Sequence, residues 1–276
     1  MQVGIFAKTF ARPTLDETLD AVIGNGLRCV QFNLSCAGLP TLPASITPSE
    51  VDAIRHALGV RRIEVPALSG TFNLIHPDPA VVDDGIARLG VLAGVARSLD
   101  ASIITLCTGT RNPENMWRWH AANRSADAWR DLLTGMERAL AATEATGAIL
   151  GVEPEISNVV ESPQQARRLL DELRSPRVKI VMDGANLFRP ETVAQMDQVL
   201  EGAFDLLGPD IVLAHAKELR PDGAVGDCAV GAGILAWRRY LNLLRTNGYT
   251  GPLIIHGVKE TEAPASIAYL QQEFAT

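Results

Sequence analysis

Four residues able to bind a metal ion stand at the ends of four consecutive apolar runs. Glu153 follows Ile149-Leu-Gly-Val, Asp183 closes Val178-Lys-Ile-Val-Met, His215 closes Asp210-Ile-Val-Leu-Ala, and His256 closes Pro252-Leu-Ile-Ile. Each run has the length and apolar content of a buried β-strand. Pro154 prevents the first from continuing as a regular pairing strand. A charge at the tip of a buried strand is costly unless something binds it. Two carboxylates with two imidazoles suit a borderline divalent ion better than Ca²⁺; the cofactor expected is Mn, Co, Zn, Fe or Mg. Such an ion polarises a carbonyl and stabilises an enediolate while an adjacent C–H proton is removed. The competing explanation for each residue is a cap on the helix that follows, and for His256 a hydrogen-bonded wall residue.

The elements that must position these residues alternate regularly. Earlier strands are expected at Val3–Ala7, Arg28–Asn33, Arg62–Leu68 and Ser102–Cys107. Helical runs separate the strands: Thr14–Ile23, a helix to Leu58, Ala80–Leu99, one from Ser125 to Thr146, one to Leu173, Pro190–Leu207, Ile234–Asn247 and Ala263–Phe274. Thr47-Pro-Ser-Glu50 supplies an N-cap, a proline at the first helical position and a capping box. Ser162-Pro163 repeats the Ser–Pro start, and Gly147 fits a C-cap. Eight strand–helix units with no composition break imply a parallel sheet with right-handed crossovers. The glycine pattern of a dinucleotide-binding open sheet is missing after the first strand, where Gly4 stands alone. The reading is α/β, a single (β/α)8 TIM barrel over residues 1–276, whose C-terminal strand ends converge on one mouth.

Composition narrows the classes. Of 276 residues 47% are hydrophobic, ample for one large core, and the formal charge of −7 opposes a nucleic-acid surface. The four cysteines lack paired spacing, so neither a zinc knuckle nor a disulfide framework is expected. No signal-peptide pattern and no membrane-length apolar stretch are present, and a soluble, cytoplasmic protein is expected.

The ordered set Gly151-Val-Glu153, Met182-Asp183, His215-Ala-Lys217-Glu218 and Gly231-Ala-Gly233 with Trp237 resembles the sugar phosphate isomerase/epimerase family of the xylose isomerase-like TIM-barrel superfamily. The resemblance implies that Glu153, Asp183 and His215 are metal ligands. The family's fourth ligand is usually a glutamate at the end of the eighth strand, where this chain has His256. In the epimerases of that family two glutamates exchange protons with opposite faces of a sugar carbon, and only Glu153 is present here. Related barrels form dimers or tetramers, so the resemblance allows a homo-oligomer.

The function expected is a metal-dependent sugar isomerase or epimerase acting on a small carbohydrate. Glu153 is then base and ligand, and His256 is fourth ligand or second acid/base group. Lys217 is either the partner of a developing oxyanion or a solvated loop lysine. Glu155 binds a sugar hydroxyl, fixes a neighbour, or faces solvent. His76 lines the mouth or bonds its own loop. Trp117 and Trp119 stack on a sugar, form a lid or pack an interface. The alternatives are a lyase acting on a keto sugar or keto-inositol by β-elimination, and a barrel that binds sugar without chemistry.

Overall fold

The structure is a computed structural model that describes residues 1–275. Eight parallel strands close on themselves in chain order, β1 pairing with both β2 and β8. They are β1 Gln2–Phe6, β2 Cys29–Phe32, β3 Glu64–Ser69, β4 Ile103–Leu106, β5 Ile149–Val152, β6 Val178–Asp183, β7 Ile211–Ala216 and β8 Pro252–Ile255. The helices between and after them are α1 Leu15–Gly24, α2 Pro48–Val60, α3 Pro79–Ser98, α4 Ala126–Ala142, α5 Pro163–Leu173, α6 Met196–Leu207, α7 Trp237–Thr246 and α8 Ala263–Ala275. This is the (β/α)8 barrel expected from the alternation. Among the described residues no helix is long and apolar enough to cross a membrane.

Local chemistry explains the helix starts. Capping boxes Thr14/Glu17 and Thr47/Glu50 open α1 and α2, and Ser162 accepts from Gln165 N ahead of Pro163 in α5. Two boundaries depart from expectation. The segment Pro190–Gln195 is a 3-10 turn before α6. Helix α7 begins at Trp237 rather than Ile234, because the preceding backbone is engaged by Glu218, as described below.

Two apolar clusters divide along the strand pleat. The larger lies between barrel and helices; the smaller fills the barrel interior with Phe6, Cys29, Ala67, Ile103, Val181, Leu213 and Ile254. Gly4 and Gly151 complete the interior, since a Cβ on Gly4 would stand 2.7 Å from Ile254 Cδ1 and one on Gly151 2.9 Å from Val181 Cγ2. Side chains two residues apart share a face of a strand. Two residues beyond the plug, the same face therefore presents Gln31, Ser69, Thr105, Glu153, Asp183, His215 and His256 at the C-terminal end. A further step of two from Phe6, Gln31, Glu153 and His215 reaches Lys8, Asn33, Glu155 and Lys217. The packed interior is thus the floor on which the mouth stands.

Tyr240 of α7 secures that end of the barrel. Its buried hydroxyl lies 2.9 Å from Met182 O and 3.2 Å from His215 O, bridging the tips of β6 and β7. Tyr240→Phe is expected to cost about 1–2 kcal/mol, read as a lower urea midpoint; an unchanged midpoint would mean that the hydroxyl does not clamp the two strands.

Candidate active site at the barrel mouth

The mouth is a cavity of about 460 Å³ whose lining includes Glu153, Glu155, His215, Lys217 and His256 on one side and Gln31, Asn33, Ser69, Thr71 and Thr105 on the other. The charged half comes from the ends of β5, β7 and β8, with Lys8 beyond β1, and the neutral hydroxyl and amide half from β2 to β4. A second recess of about 380 Å³ at the opposite end, near Gln2, Glu64 and Pro252, gathers no imidazole or lysine.

His215 is the centre of the charged half. Gln31 donates its amide to Ser69 Oγ and Thr105 Oγ1, so its Oε1 faces His215 Nε2 at 2.8 Å. An acceptor at that place requires the imidazole to carry its proton on Nε2. In the neutral ring Nδ1 is then a lone pair. Nδ1 stands 3.5 Å from Glu153 Oε1 and 3.8 Å from Asp183 Oδ2. Asp183 Oδ1 is held by Ala185 N at 3.0 Å, which leaves Oδ2 for the mouth. Asp183 Oδ2, His215 Nδ1 and His256 Nδ1 are buried without a hydrogen-bond partner.

Three buried polar atoms gathered without a hydrogen-bond partner are what a bound cation would satisfy. One donor atom from each of Asp183, His215 and His256 lies within 4.8 Å of the others. Glu153 stands against His215 at the edge of this group. The donor set fits a divalent transition ion, and the two imidazoles favour Mn, Co, Zn or Fe over Mg.

The electrostatics agree with a site short of positive charge. Burial pushes the Asp183 carboxyl up, and burial, only partly offset by Lys217, pushes Glu155 up to about 7. Burial acts to raise Glu153, but His215, His256 and Lys217 together outweigh it and hold that carboxyl at about 2. Burial works against protonation of His215, yet Glu153 and Asp183 raise its pKa. Burial, reinforced by His215, depresses His256 to about 3 and keeps it neutral, as a ligand or a base requires.

The structure brings Glu153, Asp183, His215, Lys217 and His256 together, with Glu155 and Trp117 farther out on the same cavity. Trp117 is 55% exposed at the rim, while Trp119 turns towards Arg124, 5.5 Å from its ring. His76 is a correction. It lies outside the mouth, its Nδ1 accepting from Asp78 N at 3.0 Å and its Nε2 facing Pro113 O at 3.1 Å. These backbone partners direct the ring into a separate recess beside Arg111 and Asp131.

Two residues, Gln31 and Asn186, escaped the sequence reading, and a third, Glu218, stood in a motif without a role. Gln31 fixes the His215 tautomer. Asn186 donates to Glu153 and Glu155 and accepts from Lys217. Glu218, fully buried, accepts from Leu219 N, Gly231 N, Leu235 N and Trp237 Nε1. That carboxylate explains physically why the Glu218, Gly231-Ala-Gly233 and Trp237 motifs occur together. A Cβ on Gly233 would also lie 2.3 Å from Leu219 O.

The sequence matches the family described as xylose isomerase-like TIM barrel over residues 19–273, and the chain belongs to that family. Similar solved structures include a D-tagatose 3-epimerase-like protein, with TM-score 0.78 and 14% identity over 100% of this chain and 97% of that one. A 3-keto-D-glucoside 4-epimerase from E. coli aligns with TM-score 0.76 and 15% identity over 99% of each chain. A probable 3-DHS dehydratase from Bacillus anthracis aligns with TM-score 0.73 and 12% identity over 98% of this chain and 99% of that one. At these identities the likeness is one of fold. No curated protein matches the chain in sequence.

If Gln31 sets the tautomer of a ligand, Gln31→Leu should weaken Co²⁺ binding by about 10- to 100-fold, measured by calorimetric titration of metal-free protein. Equal affinity in the variant would remove Gln31 from that role.

Proposed function

We propose that the protein is a metal-dependent isomerase or epimerase of a small carbohydrate, working through an enediolate. The observation that carries this reading is the convergence of unpartnered Asp183, His215 and His256 donors beside Glu153 and Lys217 in one polar cavity. The cavity volume of about 460 Å³ suits a monosaccharide.

Asp183, His215 and His256 would hold the ion, with Glu153 beside them. When bound, a divalent cation supplies Lewis acidity that polarises a carbonyl oxygen. Glu153 is ionised and takes the proton from the carbon next to the carbonyl. Lys217 Nζ, protonated and anchored at 2.9 Å to Asn186 Oδ1, donates to the oxygen on which charge develops. The hydroxyls and amides of Asn33, Ser69 and Thr71 face the rest of the sugar, and Trp117 covers it from the rim. Glu155 lines the same cavity and is placed to hydrogen-bond a sugar hydroxyl. Return of the proton by Glu153 to the neighbouring carbon gives isomerisation on one face. Epimerisation would need a second proton-transfer group on the opposite face, and His256, packed edge-on against Phe6, is the candidate for it.

One observation favours a β-eliminating lyase as the second reading. The proton-transfer groups differ in kind, a carboxylate and a neutral imidazole, and elimination uses one base and one acid. Both readings begin with removal of the same proton.

Metal-loaded protein incubated with aldoses, ketoses and keto sugars in D2O should place deuterium on the carbon beside the carbonyl, followed by NMR. Glu153→Gln should slow incorporation by at least about 100-fold while the fold survives. Incorporation at the wild-type rate in that variant contradicts the assignment of the base. An accompanying conjugated enone would decide for elimination.

A further inference from the structure

We propose that Asn186 is a positioning residue of this reaction, holding the Glu153 carboxylate and the Lys217 ammonium in fixed relation across the mouth. The inference rests on the carbohydrate reading above, in which Asn186 serves only as a contact of Lys217, and gives it a role toward Glu153 as well. Asn186 lies on the short turn Ala185–Leu187 after β6 and is 2% exposed. Its Nδ2 donates to Glu153 Oε1 at 2.7 Å and Glu155 Oε2 at 3.0 Å, and its Oδ1 accepts from Lys217 Nζ at 2.9 Å. The chemistry of the neighbours fixes the amide orientation, since an ammonium only donates and an ionised carboxylate only accepts.

The turn itself is tightly placed. Ala185 N and Asn186 N reach Asp183 Oδ1 at 3.0 and 3.4 Å. A Cβ on Gly184 would stand 3.2 Å from the Tyr240 ring. Lys217 is equally confined, its stem lying against Gly226 and Gly257, where an added Cβ would come within 3.5 Å of Cε and 3.2 Å of Cγ respectively. The amide therefore joins two side chains whose other ends are already fixed.

A neutral residue with both a donor and an acceptor is what this place demands. The amide stands between the ammonium and the two carboxylates, so Lys217 stays directed at a substrate oxygen and Glu153 at a proton. Aspartate in the same shape would accept from Lys217 but would set a third carboxylate against Glu153 and Glu155. Alanine would release all three.

The test uses metal-loaded full-length protein and the sugar that shows deuterium incorporation. Asn186→Asp, with Asn186→Ala as the second variant should the first not fold, is expected to lower kcat about 100-fold. KM should stay within about threefold, the signature of an interaction lost in the transition state rather than the ground state. The isotope effect on substrate deuterated at the abstracted position should rise, because a misplaced base slows that step alone. Co²⁺ affinity, measured by calorimetry, should stay within about threefold. A folded variant with wild-type kcat overturns the inference, as does a loss of kcat that saturating Co²⁺ restores. Wild-type protein inert towards every sugar overturns the carbohydrate reading and this inference with it, whereas active wild type matched by Asn186→Asp overturns only the inference.

Discussion

The lone pair of His215 Nδ1 organises the site. Gln31 occupies the other ring nitrogen at 2.8 Å, so the imidazole turns an unprotonated face towards Glu153 and Asp183. Burying lone pairs and carboxylate oxygens together is costly unless a cation or a proton lies among them. A proton on His215 meets part of the demand, which is why its basicity is raised. A divalent ion would meet it fully, and would also give Asp183 Oδ2 and His256 Nδ1 the partner that each lacks.

The barrel makes this arrangement reproducible. The strand pleat places every second residue on the inner face, and the apolar interior layer fixes how high the next layer stands. Isoleucine, valine and leucine at 254, 181 and 213 thereby raise His256, Asp183 and His215 to one level. Tyr240 and Glu218 act outside the mouth. The first bridges the tips of β6 and β7, and the second pins the segment that leads into α7.

Much of this was legible because it is local. A polar residue ending an apolar run marks a strand tip, and Thr47 with Glu50 marks a helix start. Gln31 carried the same signal, a lone amide within Cys29-Val-Gln-Phe, but a glutamine is easily passed over among carboxylates and imidazoles. Asn186 was invisible for a different reason, since a polar residue in a turn is ordinary and its three partners come from β5 and β7. His76 misled because backbone partners at Asp78 and Pro113 decide its direction, and loop geometry of that kind is not written in residue types. Glu218 was part of a quoted motif, yet its four donors come from as far away as Trp237.

Uptake of metal is the direct test. Metal-free protein, shown folded by circular dichroism, would be titrated with Co²⁺ while the visible spectrum is followed, alongside His256→Ala. The account predicts one ion per wild-type chain, absorption typical of mixed nitrogen and oxygen ligation, and markedly weaker uptake by the variant. A folded wild-type chain that shows no saturable uptake of Co²⁺, Mn²⁺ or Zn²⁺ would contradict the cation site on which the reading of the mouth depends.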